Sequence, residues 1–158
     1  MKKIKVFQLI GMIILAQAVY GQTNKKFIII AYGSKLLTGN CNYKSNALPY
    51  KYVLGYGNQQ TIEESKYKLK NSIADMYGIN PFFVIMESNW STDYPIACII
   101  KYTKDKGKEC EAQHYAIRFG EDAKSAKSNA ITEMRLFYKG DDHSVVDMIT
   151  YANTESEK

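Results

Sequence analysis

One order of predicted elements, strand, strand, helix, strand, occurs twice along this chain and constrains its fold more than any other feature. The six predicted strands are short runs rich in aromatic and β-branched residues: 27–33, 50–56, 82–86, 96–102, 110–119 and 145–151. The two helical patterns, 62–76 and 123–137, each lie between the second and third strand of a unit. We therefore expect two ββαβ units, at about 27–88 and 95–152.

Capping residues and glycines mark the ends of both helices. Thr61 can cap the first helix and Gly78 can take the left-handed turn that ends it. Asp122 and Gly140 are placed to do the same for the second helix. Glycine also closes the second strand of each unit, in Tyr-Val-Leu-Gly-Tyr-Gly and in Tyr-Ala-Ile-Arg-Phe-Gly, 63 residues apart. This matched spacing indicates an internal repeat.

The size of each unit favours a single domain made of both. Three strands and one helix in about 60 residues bury too little apolar surface to be stable alone. The expected fold class is α+β, with a mainly antiparallel sheet of about six strands and both helices on one face. The domain would span 22–152, and the polar residues 153–158 are expected to form a disordered tail.

The first 21 residues have the features of a signal peptide. Lys2, Lys3 and Lys5 precede an apolar run at 6–15 that is too short to span a membrane. Cleavage after Ala18 is possible, but the small residue Gly21 favours cleavage between Gly21 and Gln22. We therefore expect a soluble exported protein, periplasmic or secreted.

Removal of the signal peptide changes the charge. Three of the 21 basic residues lie within it and none of the 16 acidic residues does, so the net charge falls from +5 to +2. This small excess argues against a nucleic-acid partner, which requires a concentrated basic face. The oligomeric state is not predicted.

The three cysteines can form one intramolecular disulfide in an oxidising compartment. Cys98 and Cys110 flank a predicted hairpin turn and are the first choice for the pair. Cys41 takes the position equivalent to Cys110 if the first loop is about six residues longer. Three unpaired, partly buried thiols are the alternative.

The residues 30–34 (Ile-Ala-Tyr-Gly-Ser) and 52–57, followed by the helix at 62–76 and a further strand, resemble a bacterial exported domain family of unknown function. The first strand of that family reads Ala-Ile-Ala-Tyr-Ser, and its second is aromatic and glycine-bearing before an alanine-rich helix. The helix of the second unit, 123–137, resembles it as well. This resemblance implies export and a strand-strand-helix-strand unit, and it implies no reaction.

Aromatic residues near the first hairpin and the connector between the units suggest a contact surface. Tyr43, Tyr50, Trp90 and Tyr94 offer large rigid area with a polar tip, which suits binding. The alternative is that these residues fill the core. We expect a binding module without cofactor or metal, whose partner is a protein or a cell-envelope polymer.

Two further functions remain open. A hydrolase of envelope material would use Cys110 or His143, although no catalytic motif surrounds either residue. Asp141, Asp142 and His143 form a polar turn rather than a metal site. A secreted inhibitor or immunity protein is also compatible with the small size of the chain.

Overall fold

The computed structural model describes residues 23–41 and 44–151. Within these ranges the strands are β1 (Lys25–Leu36), β2 (Ser45–Gly57), β3 (Val84–Asn89), β4 (Ile96–Lys104), β5 (Ala112–Gly120) and β6 (His143–Thr150). The helices are α1 (Gln59–Tyr77) and α2 (Ala123–Phe137). The predicted signal peptide with its cleavage point at Gly21 and Gln22, the binding candidate Tyr43 and the predicted tail 153–158 lie outside the described residues.

The strands form two antiparallel sheets of three. Their orders are β2-β1-β3 and β5-β4-β6, so each unit has its first strand in the centre. The α+β class is as predicted, and the element order ββαβ occurs twice along the chain as predicted. The single sheet of about six strands is replaced by two sheets that pack face to face.

Both central strands are buried on their two faces, which explains why there are two sheets. Ile28 and Ile30 of β1 pack against Ala97 and Ile99 of β4 between the sheets. The alternate side chains point the other way, toward a helix, and they include Ile29 and Ile100, which are fully buried. Continuous apolar runs of this kind require cover on both faces of a sheet.

Each helix covers the outer face of its own sheet. The apolar stripe of α1, including Ile62, Leu69 and Ile73, packs on all three strands of its sheet. Ala126, Ala130 and Met134 of α2 pack on β4 and β5. The helices are therefore on opposite sides of the molecule, in a helix, sheet, sheet, helix arrangement, and not on one face as expected. Within the described ranges, neither helix has the length and apolar character that crossing a bilayer requires.

The helix ends follow the predictions only in part. Asp122 caps α2 as predicted, with its side chain accepting a hydrogen bond from the Ser125 amide. Asn58, not Thr61, caps α1, and Thr61 instead donates to it at 3.0 Å. Gly78 ends α1 in the left-handed conformation as predicted.

Gly140 does not end α2. The helix stops at Phe137, and Tyr138 follows in an extended conformation. A Cβ on Gly140 would lie 2.3 Å from the Tyr138 hydroxyl oxygen, so this glycine makes room for the tyrosine side chain. Its role is therefore steric and differs from that of Gly78.

The disulfide joins Cys41 to Cys110, with their Cα atoms 5.5 Å apart, so the predicted pairing of Cys98 with Cys110 is wrong. Cys98 is a buried free thiol beneath α2. It lies six strand positions from Lys104, which pairs with the first residue of β5. That distance is roughly 20 Å along the hairpin, far more than a disulfide spans. The observed bridge connects the hairpin loops of the two units.

Candidate binding site

The connector between the units, residues 90–95, folds into a turn organised by one side chain. The Asn89 side-chain nitrogen Nδ2 donates to the Tyr94 carbonyl oxygen, and its side-chain oxygen Oδ1 accepts from the Ser91 amide at 3.0 Å. The Ser91 hydroxyl accepts in turn from the Asp93 amide at 3.2 Å. The local sequence thus fixes the turn through short polar side chains, as is usual for asparagine and serine in loops.

A cavity of about 310 Å³, here called the connector pocket, opens beside this turn. It lies where β1 begins, β3 ends and the chain leaves β6. Its lining is mainly apolar and combines both units: Lys26, Phe27, Ile28, Asn89, Ser91, Thr92, Tyr94, Pro95 and Tyr151. Apolar walls with a few polar groups at this volume are typical of small binding pockets.

Two exposed aromatic side chains belong to the connector, one in the pocket lining and one next to it in sequence. Tyr94 is 50% exposed and Trp90, next to the pocket, is 46% exposed. The Lys25 ammonium lies 5.6 Å from the centre of the Trp90 ring, and Lys26 lies 4.8 Å from that of Tyr151. These distances suit cation–π contacts, and of the two lysines Lys26 belongs to the pocket lining.

The three predicted binding residues that the structure describes, Tyr50, Trp90 and Tyr94, do not form one surface. Tyr94 lines the connector pocket and Trp90 is beside it, whereas Tyr50 lies between the two sheets. The Tyr50 hydroxyl donates to Asp147 at 3.0 Å, and its ring packs edge-on against Tyr115. Burial, helped by the bond to Asp147, raises the pKa of Tyr50 to about 12. Tyr50 is therefore a packing residue here.

Sequence reasoning did not identify the pocket walls supplied by Phe27 and Tyr151. Both are at strand ends, 124 positions apart, and only the pairing of β4 with β6 brings Tyr151 close. The Tyr151 amide donates to the Pro95 carbonyl oxygen at 3.2 Å, which fixes the residue after β6 against the connector. The only local signal was the aromatic residue at the end of the last predicted strand, 145–151.

A second concave region, here called the polar cleft, lies at the free edge of β5. Its volume is about 180 Å³, and its lining comes from both sheets and α2: Tyr32, Glu87, Tyr102, His114, Tyr115, Ala116, Ile117, Arg118, Glu133 and Phe137. Arg118 is at its centre. Its guanidinium contacts Glu87 at 3.5 Å and Glu133 at 2.8 Å, and also donates to the Ile117 carbonyl oxygen.

Burial shifts the ionisation of several groups in the polar cleft. It raises the pKa of Tyr32 to about 12 and also raises the pKa of Glu87, although Arg118 opposes the latter shift. It lowers the pKa of His114, with the nearby Lys104 acting in the same direction. Perturbed groups mark both active sites and structural ion pairs. Since Arg118 satisfies both carboxylates, the cluster can join β3, β5 and α2 without any ligand.

The residues proposed for hydrolysis lie apart from both cavities. The Cys110 sulfur is bonded to Cys41, so it offers no thiolate nucleophile. His143 starts β6, and its buried Nδ1 has no hydrogen-bond partner among the described residues. Across the same residues, no three His, Cys, Asp or Glu side chains group closely enough to hold a metal ion.

The connector pocket is thus the arrangement best suited to bind another molecule. No protein-family model, curated protein or solved structure matches this chain.

Proposed function

We propose that this chain is a small exported binding module that holds an apolar side chain of a protein partner in the connector pocket and performs no chemical step. The observation that carries the proposal is the pocket itself. It is a mainly apolar cavity of about 310 Å³ that is open to solvent beside exposed Trp90 and Tyr94. Aromatic anchors in such pockets supply much of the binding energy in protein interfaces.

The pocket chemistry favours a protein over a cell-envelope polysaccharide. A sugar presents many hydroxyl groups, and each needs a hydrogen-bond partner when it is buried. The Asn89 side chain and the Ser91 hydroxyl already bond within the connector turn. The groups that remain available are largely aromatic and aliphatic, which match an apolar side chain.

The positive charges of β1 near the connector define the partner further. Lys25 and Lys26 hold two ammonium groups above the rings of Trp90 and Tyr151. A carboxylate next to the anchoring side chain would meet these charges, and charged rims guide association more than they add affinity. We therefore propose an acidic segment with a large apolar residue. A secreted inhibitor or immunity protein would be one module of this kind.

Export is part of the proposal, and the cysteines support it. A disulfide between Cys41 and Cys110 persists in oxidising compartments and is rare in the cytosol. The first 21 residues supply the features of a signal peptide. The two units share both element order and strand order, which supports an origin by internal duplication.

Short peptides test the pocket directly. Blocked Asp-Phe-Asp should shift the backbone amide resonances of Ser91 and Tyr94 in the chain 22–158, and it should change the emission of Trp90, the single tryptophan. Blocked Lys-Phe-Lys should bind more weakly because of Lys25 and Lys26, and Asp-Ala-Asp should not bind. Tyr94→Ala should weaken Asp-Phe-Asp binding about tenfold, as removal of an aromatic contact does.

The matched control is Tyr67→Ala, because Tyr67 is an exposed tyrosine on α1 away from the pocket. It should bind the peptide like the unmodified chain. Response to an N-acetylglucosamine-containing disaccharide but to none of the peptides would contradict a protein partner. Unchanged spectra with all of these probes would contradict binding at the pocket.

A further inference from the structure

β2 is an outer strand of its sheet, and it carries a row of exposed apolar side chains on one face. Tyr52, Leu54 and Tyr56 are 47%, 37% and 62% exposed, and they share the face of the sheet that points away from α1. Tyr50, two positions earlier on the same face, is covered by Tyr115 of the other sheet. The second sheet therefore ends before residues 52–56, here called the β2 edge segment.

The other outer strands carry features that block pairing with another chain. β6 has a register shift opposite Ile99 and Ile100, β3 has only six residues, and Arg118 of β5 is tied to the other sheet through Glu87. These are common protections of sheet edges. The β2 edge segment contains neither a charge nor a proline, and it pairs with β1 without interruption.

We propose that two copies of this chain associate by pairing their β2 edge segments antiparallel about a twofold axis at Leu54. The sequence of the segment, Tyr-Val-Leu-Gly-Tyr, is symmetric in the positions that face away from α1. Leu54 then lies opposite Leu54 of the second copy, and Tyr52 lies opposite Tyr56. Aromatic pairs directly across two strands stabilise a sheet, and this contact is the same from both sides, as a twofold dimer requires.

The opposite face of the segment is compatible with the same register. Val53 lies opposite Gly55 of the second copy, and Lys51 lies opposite Gly57, so no like charges meet. Pro49, which has no amide hydrogen to donate, would lie opposite position 59, beyond the strand. The paired region therefore runs from Lys51 to Gly57 in each copy.

The helices leave room for this dimer. α1 lies over the central strand β1, with β2 and β3 on either side, so the two α1 axes would be about three strand spacings apart, roughly 14 Å. Packed helices approach to about 8–10 Å, and therefore the two helices do not overlap. Seven paired residues form a small interface, and we expect a dissociation constant on the order of 10–100 µM. This inference goes beyond the proposed function and does not require it.

Charge substitutions at the axis test the register. In the chain 22–158, Leu54→Lys places two ammonium groups opposite each other and should raise the dimer dissociation constant about 100-fold. Leu54→Glu should do the same. An equimolar mixture of the two variants should restore a dimer, because Lys and Glu then face each other. Sedimentation equilibrium measures the dimer dissociation constant for each variant and for their mixture.

The control is Leu136→Lys, an exposed position on α2, which should leave the dimer unchanged. Circular dichroism checks that each variant is folded. In addition, photo-oxidation of the unmodified dimer should link Tyr52 of one copy to Tyr56 of the other. A chain that stays monomeric at about ten times the expected dissociation constant would overturn the proposal, and so would a dimer that Leu54→Lys leaves intact.

Discussion

Tyr32 lies on β1 with its ring packed edge-on against Tyr115, at a centroid distance of 5.2 Å, and it faces the polar cleft. Burial holds its pKa at about 12, against 10.0 for a solvated tyrosine. The hydroxyl therefore stays protonated in the folded chain at pH values where the unfolded chain has lost its proton. The stability linked to this residue is complete below pH 10 and is lost as the pH rises toward 12.

This linkage gives a test at the residue scale. Between about pH 10 and pH 12, the free energy of unfolding of the unmodified chain should fall by about 2 kcal/mol more than that of Tyr32→Phe, because phenylalanine has no proton to lose. Urea unfolding at several pH values measures the difference. Tyr67→Phe, on the exposed face of α1, is the control and should follow the unmodified chain. Parallel curves for Tyr32→Phe and the unmodified chain would contradict the assignment.

Individual residues were the hardest part to predict from the sequence. Tyr94 lines the connector pocket, in the region where the aromatic residues had suggested a contact surface. Tyr50 and Cys98 did not take their predicted positions, because the packing of one sheet on another decides which face of a strand is buried. A single strand shows two alternating faces, and its own sequence does not state what lies against each.

At the scale of elements, the glycines that close β2 and β5 have the same steric role. A Cβ on Gly57 would lie 2.5 Å from the Thr61 side chain, and a Cβ on Gly120 would lie 2.3 Å from the Ala126 backbone nitrogen. Each helix begins directly above the strand that precedes it. The matched glycines thus reflect the same tight strand-to-helix passage in both units.

Gly120→Ala should therefore destabilise the chain by about 2–3 kcal/mol, because backbone atoms of α2 cannot move away as a flexible side chain would. Denaturant unfolding measures the change. Glu121→Ala, at the exposed neighbouring position, should alter stability by less than about 0.5 kcal/mol. Equal stability of Gly120→Ala and the unmodified chain would show that the start of α2 leaves room for a Cβ at position 120.

Element types and order followed from the sequence, whereas their layering did not. Alternation, capping residues and glycines located all six strands and both helices among the described residues. The continuous apolar runs at 27–31 and 97–100 were the available signal for burial on both faces. The prediction of a single sheet did not account for these two runs. It therefore placed both helices on one side.

At the scale of the whole molecule, the disulfide and the connector lie at opposite ends of the central strands β1 and β4. Asn40 and Glu109 bond at 3.1 Å beside the bridge, the Gln113 amide donates to Asn46 at 2.7 Å, and Lys44 pairs with Asp105. The bridge closes a segment whose ends are separated by 69 positions. In the chain-entropy description, closure of such a segment contributes about 4 kcal/mol.

Substitution of both Cys41 and Cys110 by serine should therefore lower the free energy of unfolding by about 4 kcal/mol, measured in denaturant. Cys98→Ala leaves the bridge intact and should cost less. Counting thiols provides an independent check, since the unfolded, unreduced chain should show one reactive thiol, from Cys98. Two or more reactive thiols per unfolded chain would contradict the pairing.

The position of the bridge has a consequence for proteolysis. The connector, residues 90–95, lies inside the segment that Cys41 and Cys110 close. A protease that cut the chain in the connector would leave two fragments, one with each ββαβ unit, and the disulfide would keep them covalently joined. The clipped protein would keep both units until a reductant released them.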